Sequence, residues 1–235
     1  MNYKETPATY ILLIINILIW LALEALGSSS NPETLRDFGA LTYIDIRSGQ
    51  YWRYVSAMFL HIGIMHLLVN SISLFILGSL IEKTFGSYKF IAIYIASGIG
   101  GSALSYSMIS PWTIGAGASG AIFGCLGALG VFFLINKTSL GRSGKENLNA
   151  VLIMSLINFG FGIFIPSIDN WAHLGGFISG AIMSSGISPK IRFSNYYDSR
   201  KSPKHTISSI RQLFSISSMI LIICLITWFG NNRFQ

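Results

Sequence analysis

The chain has 235 residues, of which 51% are hydrophobic and only 11% charged, and its mean hydropathy is +0.58. A soluble domain is about one-quarter charged, so this composition excludes an ordinary soluble fold and points to a polytopic, all-α membrane protein. The net charge of +7 is carried by residues between the apolar stretches and makes no case for a nucleic-acid partner.

Apolar stretches of about 17–25 residues predict seven membrane spans, near 8–26, 60–81, 88–108, 119–135, 149–165, 170–187 and 213–230. Proline breaks helix interiors, and Pro7, Pro32, Pro111, Pro166, Pro189 and Pro203 all fall at ends or between spans. No small-residue cleavage site follows the first span, which is therefore expected to remain as a helix. Three units follow: a six-helix core over 1–187, a basic loop over 188–212, and a seventh helix with a short tail over 213–235. Cys125 and Cys224 fall in separate spans and suggest neither a disulfide framework nor a CxxC metal site. No internal repeat of the transporter kind is evident.

Lysine and arginine collect on the cytoplasmic side of membrane proteins. With the N-terminus inside, the inner segments hold Lys4, Lys83, Lys89, Lys137, Arg142, Lys145, Lys190, Arg192, Arg200, Lys201, Lys204 and Arg211, 12 of the 16 basic residues. Arg36, Arg47, Arg53 and Arg233 lie outside. This asymmetry predicts a cytoplasmic N-terminus and contact of the basic loop with the inner leaflet.

Polar groups inside spans are costly, and they mark where function is to be sought. The second span carries His61, His66 and Asn70, the fourth opens with Ser119, and the sixth carries His173. All three spans run from outside to inside, which places Ser119, His66, Asn70 and His173 at similar depth near the outer face. His66 and Asn70 are four residues apart and share a helix face. Gly176 and Gly180 form a GxxxG pair on the face of His173, and Gly120, Gly124 and Gly127 repeat the device on the fourth span. A serine and a histidine on such helices can reach hydrogen-bonding distance, the minimum for a base-activated nucleophile. Bland alternatives stand beside this one: a serine bonded to its own helix, and a histidine or asparagine acting as interhelical glue. His61 and His66, five residues apart, would splay by about 140° on one helix, which disfavours a shared metal ion. Asp169 is either a third member of a triad or a solvated helix-end charge. Asn16, Glu24 and Glu82 read as packing or interfacial groups.

"GASG" at 117–120, "AHLGG" at 172–176, "HLLVN" at 66–70 and "YWR" at 51–53 together resemble the signature set of rhomboid intramembrane serine proteases, over roughly residues 8–187. The resemblance implies a six-helix bundle, here with a seventh helix as in six-plus-one members. It implies Ser119 as nucleophile and His173 as general base, without a carboxylate. It further implies an oxyanion site formed by His66, Asn70 and the backbone N–H of Ser119. Phe123 falls where the family has an aromatic ring on the imidazole, and Trp52 and Arg53 lie in a first outer loop at the membrane interface. No metal or organic cofactor is implied. The implied substrates are single-span proteins with a helix-destabilising segment and a small residue before the cut. The short loops are similar to those of bacterial members, which implies a bacterial cell membrane. A proteolytically inactive relative that binds client helices is the alternative, and the pairing of Ser119 with His173 argues against it. A solute transporter fits less well, because the polar cluster lies toward one face.

The fourth span explains why glycines precede the serine. From Ser119 to Ile135 an apolar helix would measure about 26 Å, against a hydrocarbon core of about 30 Å. The loop over 109–118 is then expected to dip below the outer surface, with Gly115 and Gly117 supplying backbone freedom. Irregular backbone at that depth requires protein or a water-filled cavity around it.

Overall fold

A computed structural model describes residues 6–191 and 209–233. Among the described residues the spans are all helical. The first is α1 (Pro7–Leu26), and three short helices follow it: α2 (Pro32–Asp37), α3 (Tyr43–Arg47) and α4 (Arg53–Ser56). The second span is α5 (Gly63–Ser73), continued through a π turn over Leu74–Gly78 into α6 (Ser79–Phe85). Then come α7 (Ser87–Met108), α8 (Ser119–Phe164), α9 (Asn170–Ile187) and α10 (Ser209–Asn232). Most of the basic loop expected at 188–212 lies outside the described residues.

Five of these helices are long and apolar enough to cross a membrane, α5 and α6 counting as one. Seven spans are reached by two further observations. The 46-residue α8 is two arms folded at Gly141, whose φ of 57° and ψ of −130° are not helical. α9, whose sequence NWAHLGGFISGAIMSSGI is rich in glycine and serine, packs against α7, α8 and α10 in the interior. The separate loop expected between the fourth and fifth spans is thus a single glycine corner. The expected shortness of the fourth span is corrected too: its helix continues past Ile135 and Lys137 to the corner, although the added turn is polar. The second span also starts later than expected, at Gly63, which leaves His61 outside the helix.

The helices around the site are packed backbone to backbone. A Cβ added at Gly176 would strike the carbonyl of Gly120, and one at Gly180 the carbonyl of Gly124, with the Gly124 Cα only 2.6 Å away. A Cβ at Gly101 of α7 would lie 2.6 Å from the carbonyl oxygen of Ala172 and 3.4 Å from the Cα of Gly120. Three backbones therefore converge at Gly101, Gly120 and Ala172. Lipid tails are as apolar as leucine, so apolar attraction between helices gives no net drive, and close packing of small residues takes its place.

At the C-terminal end of the second span, Glu82 is 3% exposed and caps α1. Its carboxylate accepts hydrogen bonds from Ala8 N (2.9 Å), Thr9 N (2.8 Å), Thr9 Oγ1 (2.8 Å) and Ser87 Oγ (2.6 Å). A negative group at a helix N-terminus satisfies free N–H groups and complements the helix dipole. Glu82 is therefore a structural anion joining α1, α6 and the start of α7, a more specific role than the packing group expected. Glu24 accepts from the backbone and hydroxyl of Ser29, whose Oγ in turn accepts from Gly63 N at 3.1 Å.

The packing predicts a contrast between two glycines. Gly180→Val forces α9 away from α8 and should cost about 1–3 kcal/mol, the range for overpacked interiors. Gly160→Val, at a position where an added Cβ meets nothing within 4 Å, should leave the melting temperature in detergent nearly unchanged.

Candidate active site

Ser119 is the first residue of α8 and is half-buried, while His173 lies in the first turn of α9 and is 7% exposed. Each neighbours a backbone contact between the two helices: Gly120 follows Ser119, Ala172 precedes His173, and a Cβ on Gly120 would stand 3.2 Å from the Ala172 carbonyl oxygen. The glycine seam therefore fixes both residues by backbone position. The Phe123 ring lies parallel to the His173 imidazole, with centroids 4.0 Å apart and planes 10° from parallel. Phe159, on the second arm of α8, meets the same imidazole edge-on at 6.4 Å and Phe123 at 5.0 Å. Sequence reasoning did not single out Phe159, since one phenylalanine in an apolar span carries no distinguishing signal.

Asp169 is placed by neither alternative as first framed. It is the N-cap of α9: Oδ1 accepts from Ala172 N at 2.9 Å and Oδ2 accepts from the Ser105 hydroxyl of α7. Both oxygens are thereby engaged away from His173, whose buried Nδ1 has no hydrogen-bond partner among the described residues.

The second span brings His66 against the loop before Ser119, with Asn70 one turn further along the same helix. Ile62 N donates to His66 Nδ1 at 3.3 Å, so in the neutral ring the proton sits on Nε2. That Nε2 edge faces Gly117: a Cβ there would stand 2.8 Å from His66 Nε2 and Cε1. Gly117 also has φ +134°, so both its backbone conformation and the neighbouring ring require glycine. Asn70 is 5% exposed and donates one N–H of its amide to its own helix, at His66 O, 2.9 Å away. Among the described residues its second N–H meets no acceptor. His61, in the turn before α5, accepts from Ala118 N at 3.5 Å and lies edge-on to His66 with ring centroids 5.3 Å apart. The splay argued for a common helix does not apply, because His61 is not on that helix.

Besides the His61 contact, the loop before Ser119 is held by backbone hydrogen bonds. Leu41 and Gly115 exchange two hydrogen bonds of 2.8 Å, and Gly117 N donates to Ala57 O at 2.9 Å. Gly115 serves this pairing and has no positive φ, so the freedom expected of it is needed only at Gly117. Leu41 is in turn positioned by Arg53, which is 6% exposed. Its guanidinium donates to Ala40 O (3.0 Å), Arg36 O (2.6 Å) and Gln50 Oε1 (2.8 Å) and pairs with Asp45 at 3.5 Å. Trp52 is half exposed and lies under that guanidinium, 4.7 Å from ring centre to Cζ. Asp45 itself takes a two-pronged bond from Arg36 (2.7 and 2.8 Å) and one from the Thr42 hydroxyl (2.6 Å). The Arg36 bond, with Thr42 and the charge of Arg53 behind it, lowers the Asp45 carboxyl to about 2.

Residues 48–190 match the Rhomboid domain family. The chain is 41% identical over 186 residues to rhomboid protease GluP of Bacillus subtilis (strain 168), a stretch that is 79% of this chain and 36% of GluP. It is 32% identical over 200 residues to RHOMBOID-like protein 5 of Arabidopsis thaliana, covering 81% of this chain and 63% of that one. Rhomboid protease AarA of Providencia stuartii is 36% identical over 214 residues, 80% of this chain and 75% of AarA. The chain thus spans little more than a third of GluP and under two-thirds of the plant protein.

The domain match begins after Asp45, yet Asp45 anchors the arginine that positions Leu41 against the serine loop. Its folded pKa is lowered, so its stabilisation is complete above the unfolded value of about 3.9, amounts to about 2 kcal/mol, and is lost as pH falls toward 2. Asp45→Asn should lower the melting temperature at pH 7, and the difference from the unaltered chain should shrink steadily between pH 4 and pH 2.

Proposed function

Because this multi-pass membrane chain belongs to the rhomboid family, we propose that it is an intramembrane serine endopeptidase that cleaves transmembrane-helix substrates near the outer membrane face. One observation carries the reading. The hydroxyl at the start of α8 and the imidazole in the first turn of α9 flank a single backbone contact, with Phe123 stacked on the imidazole.

In this mechanism His173 takes the proton of Ser119 as Oγ attacks the scissile carbonyl, and the carbonyl π electrons move onto its oxygen. Ser119 N–H is one of the free donors at a helix N-terminus, where partial positive charge also favours an oxyanion. The spare N–H of Asn70 and the Nε2–H of His66 approach from the second span. The imidazolium then gives its proton to the leaving amine, the C–N bond breaks, and an acyl ester remains on Ser119. Water, deprotonated by His173, attacks that ester; the ester C–O bond breaks and the proton returns to Ser119. The catalytic unit is a dyad, since Asp169 spends both oxygens on Ala172 and Ser105. The distribution of basic residues supports a cytoplasmic N-terminus and a site toward the outside, and the short loops, similar to those of bacterial members, support a bacterial cell membrane.

The test is cleavage of a single-span model substrate by protein reconstituted in vesicles. Ser119→Ala and His173→Ala should abolish cleavage with expression near normal, whereas Asp169→Asn, which keeps an oxygen for the cap, should retain most of it. Cleavage by Ser119→Ala would overturn the assignment, and a chain that binds the substrate helix without cutting it would be an inactive relative. Asn70→Ala should lower kcat by about 10- to 1000-fold with little change in KM, as for a lost oxyanion donor. A cysteine at the exposed Ser30 should be labelled from outside and one at the exposed Ser143 from the cytoplasm.

A further inference from the structure

The outer end of α10 is bound to the last turn of α7 by an unusual number of polar contacts for a lipid-facing helix. Tyr106 Oη donates to Asn231 Oδ1 at 2.5 Å, and Ser107 Oγ donates to Ile226 O at 2.6 Å. Arg233 Nη1 donates to Ser107 O at 2.8 Å and to Ile109 O at 3.3 Å. The Thr227 hydroxyl bonds Tyr54 Oη at 3.1 Å, next to Arg53. Gly230 admits the Tyr106 ring, which a Cβ there would meet at 2.6 Å, and the opposite side of that ring system includes Tyr43, stacked with centroids 5.4 Å apart. Other α10 side chains such as Leu221, Leu225 and Trp228 are more than half exposed, as lipid contact requires.

These contacts fall on a segment that would otherwise fray. The last carbonyls of a helix have no intrahelical donor, and α7 leads into an exposed loop in which Trp112 is 87% exposed. Arg233 supplies donors to those carbonyls. The turn it completes carries Ser105, and successive side chains on a helix are turned by about 100°. Tyr106 and Ser107 accordingly reach α10 while Ser105 reaches Asp169 on α9. Asp169 caps Ala172 N, and His173 is the next residue.

We propose that the seventh helix is a positioning element for the site: residues 226–233 clasp the end of α7, and through Ser105 and Asp169 the clasp fixes the first turn of α9 and the orientation of His173. Asn231, Tyr106 and Ser105 are the positioning residues. The inference rests on His173 being the general base, and it has one consequence that does not, namely protection of the Ala172 amide.

The experiment compares Tyr106→Phe, Asn231→Ala, Asn231→Asp and Ser105→Ala in the full chain. Tyr106→Phe keeps the stacked ring and removes only the hydroxyl, so folding is preserved. Displaced reacting groups cost rate rather than binding, and Tyr106→Phe and Asn231→Ala should each lower kcat by about 5- to 50-fold with KM within about twofold. Asn231→Asp, which keeps the acceptor, should restore kcat. Adding Tyr106→Phe to Ser105→Ala should cost little more than Ser105→Ala alone, because both interrupt one chain of contacts. Hydrogen exchange at Ala172 should accelerate about tenfold in Tyr106→Phe and Asn231→Ala, as expected when a capped turn opens locally. Unchanged kcat with a lowered melting temperature, losses that multiply in the double variant, or unchanged Ala172 exchange would each overturn the proposal. Should the unaltered chain show no Ser119-dependent cleavage, the protease reading fails, and Ala172 exchange alone decides this one.

Discussion

Backbone contact between three helices is the constraint on which the site depends. At Gly101, Gly120 and Ala172 the chains of α7, α8 and α9 touch with no side chain between them, and Gly124 with Gly180 extends the seam inward. A contact of that kind has no rotamers to adjust, so the separation of the helices is set by atomic radii. Ser119 and His173, each one residue from the contact, inherit that precision. The glycines weaken each helix taken alone, by up to about 1 kcal/mol each relative to alanine in a soluble host, and the close approach they permit is what offsets the loss.

Outside the seam, charges are used sparingly and each is surrounded by donors. Glu82 receives four hydrogen bonds, and Asp45 meets two arginines and a threonine. A buried carboxylate left unpaired would cost several kcal/mol, so these two sites specify geometry as much as they add stability. Their positions are complementary. Glu82 ties α1 to the C-terminal end of the second span, and Asp45 with Arg53 ties α2 and α3 to Leu41 and hence to the loop that leads into Ser119. The irregular backbone of that loop is thereby satisfied by protein.

Much of this was legible in the sequence, and the reasons are specific. Hydropathy and proline positions located the spans, since a bilayer imposes one length on every crossing. GxxxG spacing indicated which faces of the fourth and sixth spans meet, because only small residues allow that approach. The GASG, AHLGG and HLLVN motifs brought Ser119, His173, His66 and Asn70 into view. What escaped was non-local: Ser105, Phe159, Tyr106 and Asn231 are ordinary residues whose roles arise from partners 14 to 125 positions away. The glycine corner at Gly141 escaped for another reason, since a run such as NKTSLGRSGKEN reads equally as a loop or as polar helix. His61 was placed on a helix because apolar content alone does not show where the first turn begins.

Three polar groups at the candidate site retain spare capacity among the described residues: Asn70 spends one amide N–H on His66 O, His66 directs a protonated Nε2 toward Gly117, and His173 Nδ1 is buried without a partner. Spare donors held in place by packing need no reorganisation when negative charge develops nearby, which is the condition under which they accelerate a reaction most. An imidazole without a carboxylate partner gains no charge to stabilise its protonated form, and Phe123, stacked on its face, supplies orientation and an aromatic surface instead. In the proposed dyad the rigidity of the glycine seam would carry a larger share of the task, because a dyad has one fewer hydrogen bond with which to correct a misplaced base.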